Sequence, residues 1–253
     1  MPPTLVAVID SAIHRRQVFV TGATGYIGRE LARSLVSRGH VVRALVREGA
    51  ERRLPRRVSH VVGDATDSRS YALHVAPADT LVQLVGTPHP GPGKDAGSRS
   101  VDLPSGLAAV EASVIAGVRH LVYVSVAQPA PVMHGYIAVR AAVEARIREA
   151  NAQFGLRATI LRPWYVLGPG HYWPYLLLPL YAIGRALPAT REGARRLGLV
   201  THAQMVAALV EAVESPPTDA EPGVRVWDVP RIRLSATSRS PRHTPAAARR
   251  SSR

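Results

Sequence analysis

Three glycines, Gly22, Gly25 and Gly28, stand between a short apolar run and an amphipathic one, and they constrain this chain more than any other feature. Residues 17–47 read QVFVTGATGYIGRELARSLVSRGHVVRALVR. Val18, Phe19 and Val20 form a β-branched and aromatic run that predicts a strand through Thr21. From Tyr26 onward, Ile27, Leu31, Leu35 and Val36 recur on one helical face, and His40–Val46 predicts a second strand. Glycine at these positions lets the backbone turn tightly and approach a pyrophosphate, whose charge rests on free N–H groups at the helix N-terminus. A glycine triplet alone is weak evidence. Its place between strand and helix, with another strand following, makes it a dinucleotide signature. Gly22, Thr24, Gly25, Tyr26, Ile27 and Gly28 are therefore the candidate phosphate-side contacts.

The rest of the chain continues the alternation. Strands are predicted at Val58–Val62, Thr80–Val85, His120–Val126 and Ala158–Leu161, with helices near Ser68–Val75, Val101–Ala116 and Tyr136–Phe154. The strand segments are continuous apolar runs, as parallel strands covered on both faces require. This pattern predicts an α/β fold with a doubly wound parallel sheet and a ligand at the carboxyl ends of its strands. After Pro163 the texture becomes rich in proline, glycine and aromatics. A helix near Thr201–Glu214 and a strand near Val224–Val229 are expected to complete a small substrate lobe over about 164–234. Ala7–Ile9 allows a further local strand within residues 1–16, which otherwise read as an extension.

Composition narrows the function. The chain has 253 residues, 46% of them hydrophobic, which fits one globular domain with a substantial core. It contains no cysteine, which excludes disulfides, thiolate metal sites and cysteine nucleophiles. No His-Glu-x-x-His spacing occurs, and no metal is expected. The formal net charge is +14, but Lys94 is the only lysine among 32 basic residues, a skew that points to genomic base composition. Ser235–Arg253 carries five arginines and no acid, and it reads as a basic, disordered tail. Such a tail allows contact with nucleic acid or an anionic membrane, although a solvated tail is the plainer reading. Trp173–Leu187 is apolar but too short to span a bilayer, and Pro179 and Arg185 interrupt it, so a buried or lid helix is expected. No basic region precedes an apolar run at the N-terminus, which points to a cytoplasmic protein.

With its preceding threonine, Thr21–Gly28 resembles the short-chain dehydrogenase/reductase superfamily, closest to its extended and atypical branches of NAD(P)H-binding, NmrA-like and isoflavone-reductase-like proteins. The resemblance covers about 17–229 and is also carried by Val42–Arg47, Val62–Asp67 and Ile160–Gly170 (ILRPWYVLGPG). It implies a Rossmann domain over 17–234 and a nicotinamide cofactor. Arg47 matches the arginine that binds the 2′-phosphate in the atypical relatives, so NADP(H) is favoured over NAD(H), though Glu48 offers a ribose contact instead. Asp64 and Ala65 match the adenine edge, with helix capping as the alternative for Asp64, a role Asp67 fills equally well by position. Val85 and Gly86 are expected along the adenosine ribose, and Pro163 and Val166 near the nicotinamide carboxamide.

The resemblance also implies a catalytic set. Tyr136 matches the tyrosine acid/base, Ser125 the serine that orients a carbonyl, and Arg140 the position where the family carries lysine. Tyr136 and Arg140 share a helical face at four-residue spacing, and Glu144 is placed to pair with Arg140. Arginine keeps the charge but not the shape of lysine, so an ordinary helix face beside the cofactor is the alternative reading of these residues. Trp164, Tyr165, His171, Tyr172 and Trp173 suggest a flat apolar substrate or a packed lobe. The expected function is an NADP(H)-binding atypical short-chain oxidoreductase acting on a small carbonyl compound. The alternative is a redox-inactive NADP-binding sensor or accessory protein, of the NmrA-like or respiratory-complex-I-subunit kind.

Overall fold

The computed structural model of the chain describes residues 15–87, 98–130, 132–168, 193 and 197–237. Seven strands form one parallel sheet: β1 (Gln17–Thr21), β2 (Val41–Val46), β3 (Ser59–Val62), β4 (Thr80–Gln83), β5 (His120–Val124), β6 (Arg157–Leu161) and β9 (Val224–Trp227). Their order is β3-β2-β1-β4-β5-β6-β9. A separate parallel pair joins β7 (Tyr165–Leu167) to β8 (Leu199–Thr201). The helices are α1 (Tyr26–Ser37), α2 (Leu103–Ile115), α3 (His134–Phe154), α4 (His202–Glu214) and α5 (Val229–Thr237).

Alternation along the strands divides the core into two layers. Val18 and Val20 of β1 face Leu31 and Leu35 of α1, together with Met205, Leu209 and Val213 of α4. Phe19, between them, faces the other layer with Leu81, Leu121 and Ile160, under Val110 of α2 and Val143 and Ile147 of α3. Leu31 and Leu35 are fully buried, and burial on this scale stabilises by roughly 1.5–3 kcal/mol per side chain. α1 ends where Gly39 takes a φ of +85° and its N–H returns to Val36 O at 3.0 Å.

Three expectations need correction. α4 and β9 do not build a substrate lobe: α4 packs on α1, and β9 pairs with β6 as the seventh strand of the main sheet. Burial of the apolar face of α4 against Val18 and Leu31 decides its place, and helical period alone does not reveal that partner. The helix expected over Ser68–Val75 is two short 3₁₀ turns, Ser68–Ser70 and Ala72–His74. Tyr71 breaks the run with a φ of −144°, and its buried ring stacks on Phe19 at 5.9 Å. The tail boundary expected at Ser235 falls inside α5, where Ser235 is buried and accepts from Arg231 Nη1 at 3.1 Å. Ala7–Ile9, Lys94, Trp173–Leu187, His171, Tyr172 and the tail beyond Thr237 lie outside the described residues.

Candidate functional site

Every strand of the parallel sheet points its carboxyl end toward the same edge, and the candidate residues collect there. Gly22 follows β1, Arg47 follows β2, Asp64 and Ala65 follow β3, Val85 and Gly86 follow β4, Ser125 follows β5, and Pro163 follows β6. This edge is where a doubly wound sheet holds its ligand.

The glycine turn is built so that backbone approaches backbone. Gly22 has a φ of +77°, and a Cβ there would lie 2.9 Å from Leu84 C. At Gly28 a Cβ would come within 2.2 Å of Gly22 O, so only glycine lets α1 pack this tightly on the turn. Gly25 caps α1 without a side-chain hydrogen bond, leaving the first N–H groups of the helix to a ligand. These features fit a dinucleotide pyrophosphate. The side chains of Ile27 and Val166 pack on the core. The Tyr26 ring lies tilted against that of His202 at 4.3 Å, and His202 Nε2 lies 3.1 Å from Tyr26 O.

Around the adenosine end, Arg47 is exposed and its side chain makes no ion pair or hydrogen bond among the described residues. Asp64 Oδ1 accepts from both Thr66 N and Thr66 Oγ1 at 2.8 Å. Those two bonds, with Arg47 nearby, hold its carboxyl below the usual range. Asp64 therefore forms a local turn, and Asp67 is the residue that caps, accepting from Arg69 N at 3.1 Å. Ala65 is partly buried against the core. Val85 N donates to Gln83 Oε1 at 3.3 Å. Pro163 O is already engaged by Ala127 N at 2.9 Å.

Tyr136 and Arg140 are brought together, while Ser125 lies in a separate network, and both have partners that sequence spacing did not reveal. Arg140 does not pair with Glu144. Its Nη2 donates to Asp102 Oδ1 at 2.7 Å and its Nη1 to Val124 O at 2.9 Å, with the guanidinium 5.1 Å from the Tyr136 ring centre. Asp102 is fully buried and also accepts from Thr87 N at 2.8 Å and Thr87 Oγ1 at 2.7 Å. Gly86 is required by this pair, because a Cβ there would lie 2.4 Å from Arg140 Nη2. Glu144 belongs to a second network: it accepts from Ser125 Oγ at 2.7 Å, Gln128 Nε2 at 2.9 Å and Arg162 Nε at 2.9 Å. Asp102, Thr87, Gln128 and Arg162 are thus site residues that spacing missed. The acid directly before Leu103-Pro104, at a helix start, was the one available signal for Asp102.

Electrostatics follow from this burial. Loss of water raises the Tyr136 phenol above its usual value, against a partial opposing pull from Arg140. Tyr123 is pushed up to about 12 for the same reason. Burial works against the Arg140 charge, but the Tyr136 and Tyr123 phenols and the Asp102 carboxylate outweigh it and keep the group protonated. Burial likewise opposes the Glu144 charge, yet hydrogen bonds from Arg162 and Ser125 hold this carboxyl below its ordinary range.

The model of the family described as NAD(P)H-binding matches residues 22–170, more than half of the 253-residue chain. The chain belongs to this NAD(P)H-binding family. Among relatives, it is 31% identical over 183 residues to a ceramide reductase of Caulobacter vibrioides, covering 72% of this chain and 56% of that protein. It is also 31% identical over 265 residues to a 3-diazoavenalumate denitrifying reductase of a Streptomyces species, covering 91% of this chain and 85% of that protein. The chain thus spans little more than half the length of the first relative. In fold it is similar to the UDP-glucose 4-epimerase of Thermus thermophilus in complex with NAD, with a TM-score of 0.61 at 18% identity, covering 88% of this chain and 82% of the other. The Rossmann-type parallel sheet is therefore shared with that enzyme. No helix among the described residues is long and apolar enough to cross a membrane.

Proposed function

We propose that this NAD(P)H-binding protein is an NADP(H)-dependent oxidoreductase that reduces a small carbonyl compound, with Tyr136 as the proton donor. The observation that carries the reading is the buried Tyr136–Arg140 pair at the carboxyl edge of the sheet, 5.1 Å from ring centre to guanidinium. The reductase names of both relatives support the direction of reaction. The residues at the glycine turn would hold the pyrophosphate, and exposed Arg47 would take the 2′-phosphate in charge-assisted hydrogen bonds. The bound nucleotide would supply hydride. Tyr136, kept protonated by burial, donates its proton to the oxygen that gains charge, and the fixed cation of Arg140 stabilises the phenolate left behind. Ser125 donates its single proton to Glu144, so in this arrangement it has no proton to offer a substrate carbonyl. A small diffusible substrate and a cytoplasmic setting fit this reading.

A second reading has its own observation. Asp102 offsets the charge of Arg140 at 2.7 Å, and the hydroxyl of Ser125 is engaged, as suits a redox-inactive nucleotide sensor. One variant separates the two. Tyr136→Phe is expected to lower turnover of quinones, ketones or aldehydes by about a hundredfold or more while sparing NADPH affinity. Unchanged turnover in that variant would sink the proton-transfer role, and a wild-type protein that binds NADPH but reduces nothing in the panel favours the sensor.

A further inference from the structure

At the opposite edge of the sheet, where the strands begin, stands a second set of charges. Arg16 precedes β1, Asp79 precedes β4, Arg119 precedes β5, and Arg157 opens β6. These four strands are consecutive in the sheet. Neighbouring strands lie about 4.8 Å apart, so their first positions form a single charged row. A cavity of about 160 Å³ opens in this row, lined by Arg16, Asp79, Arg119, His120 and Arg157 and walled by Pro216 and Pro217.

The engaged and unengaged groups of this row can be separated. Arg157 donates Nη1 to Pro217 O at 3.0 Å and pairs with Asp219 through Nη2. Asp79, the one carboxylate lining the cavity, accepts from Gln17 N through Oδ2 at 2.8 Å. His120 is buried, with its ring nitrogens 3.4 Å from Thr80 Oγ1 and 3.0 Å from Thr159 Oγ1. Arg16 differs: its Nε is buried and has no hydrogen-bond partner. Arg119 is exposed, and its side chain makes no ion pair or hydrogen bond among the described residues. A buried guanidinium N–H without an acceptor costs free energy that an anion would recover.

We propose that this cavity binds a small oxyanion, either free phosphate or the phosphate end of a small phosphorylated molecule. Two unengaged guanidinium groups, backed by a third, match the planar forked geometry that phosphate oxygens accept. The volume falls below the roughly 300 Å³ of sites that enclose drug-sized ligands, so the cavity takes an oxyanion head and not a dinucleotide. Strands of five residues at about 3.3 Å each put it on the order of 15 Å from the glycine turn, so both sites are filled independently.

Calorimetric titration of the full chain with potassium phosphate, at ionic strength fixed with potassium chloride, tests this directly. Saturable phosphate binding is expected, and it persists when NADPH is saturating. Arg119→Gln weakens it about tenfold, the worth of one charge-assisted hydrogen bond, and Arg16→Gln combined with Arg119→Gln abolishes it. Arg119 is exposed, so its variant keeps the fold, which circular dichroism verifies. If NADPH fails to bind at all, the arginine variants still decide the matter without it. Tighter binding of glycerol 3-phosphate than of phosphate, with the same loss in Arg119→Gln, assigns the oxyanion to a phosphorylated molecule, and equal affinity assigns it to free phosphate. Phosphate that binds no better than chloride, or that binds the double variant as well as the wild type, overturns the proposal.

Discussion

Arg47 stands exposed just beyond β2, near Asp64 but with no ion pair or hydrogen bond from its side chain among the described residues. A 2′-phosphate would meet it as a charge-assisted partner worth about 1.5–3 kcal/mol. Arg47→Ala is therefore expected to weaken NADPH about ten- to a hundredfold while leaving NADH unchanged. Fluorescence titration with both nucleotides measures this, and equal affinity of the wild type for the two would remove the 2′-phosphate contact. At this scale the sequence was legible where chemistry depends on the chain's own order. Gly22, Gly28 and the Tyr136/Arg140 spacing all stand where the motif puts them. It was not legible where a partner comes from elsewhere. Glu144 lies four residues from Arg140, yet Asp102, 38 residues away, takes the guanidinium. Helical spacing names the groups that can meet, and the competition among them is settled by the fold.

Elements were legible by period but not by destination. β1, α1 and β2 follow directly from the alternation and the helical stripe, and α2 and α3 begin and end within a few residues of expectation. α4 and β9 were equally visible as segments, yet nothing local showed that they extend the main sheet and its covering layer. α5 was hidden because Val229–Thr237 carries a weak apolar stripe. Its buried residues Ile232 and Ser235 nevertheless anchor it, and this leads to a truncation prediction. A chain cut after Thr237 is expected to keep the full melting temperature and NADPH affinity, because the segment removed is rich in Ser, Pro, Ala and Arg and offers little apolar surface. A chain cut after Leu234 loses the Arg231–Ser235 hydrogen bond and the last turn of α5. The loss is about 1 kcal/mol, or a fall of about 2–4 °C in a chain of this size. Equal melting temperatures for the two truncations would show that the end of α5 contributes nothing.

At the scale of the whole molecule, the candidate site lies at the carboxyl edge of the sheet and a buried histidine at the amino edge. His120 is buried between Thr80 and Thr159. Burial first, and then Arg225 and Arg16, lower its pKa from 6.5 to about 3. The sign of the linkage is fixed by that direction. Between these two values the unfolded chain binds a proton that the folded chain refuses, so stability falls as pH falls. Glu144 and Asp64 are also depressed, but they act lower, since their ordinary values are 4.5 and 3.8. Their contribution is present above those values and is lost as pH drops toward their folded ones. The span from about pH 7.5 to about pH 5 lies above the ordinary values of both carboxylates, and the share of the loss there that belongs to His120 is about 2 kcal/mol. Urea unfolding of wild type and His120→Gln, in buffers free of phosphate, measures it. The variant is expected to be less stable at about pH 7.5, because its amide fits the two threonines less well, but to lose about 2 kcal/mol less than wild type on acidification. Parallel curves for the two proteins would show that the buried imidazole does not set the acid sensitivity of this fold.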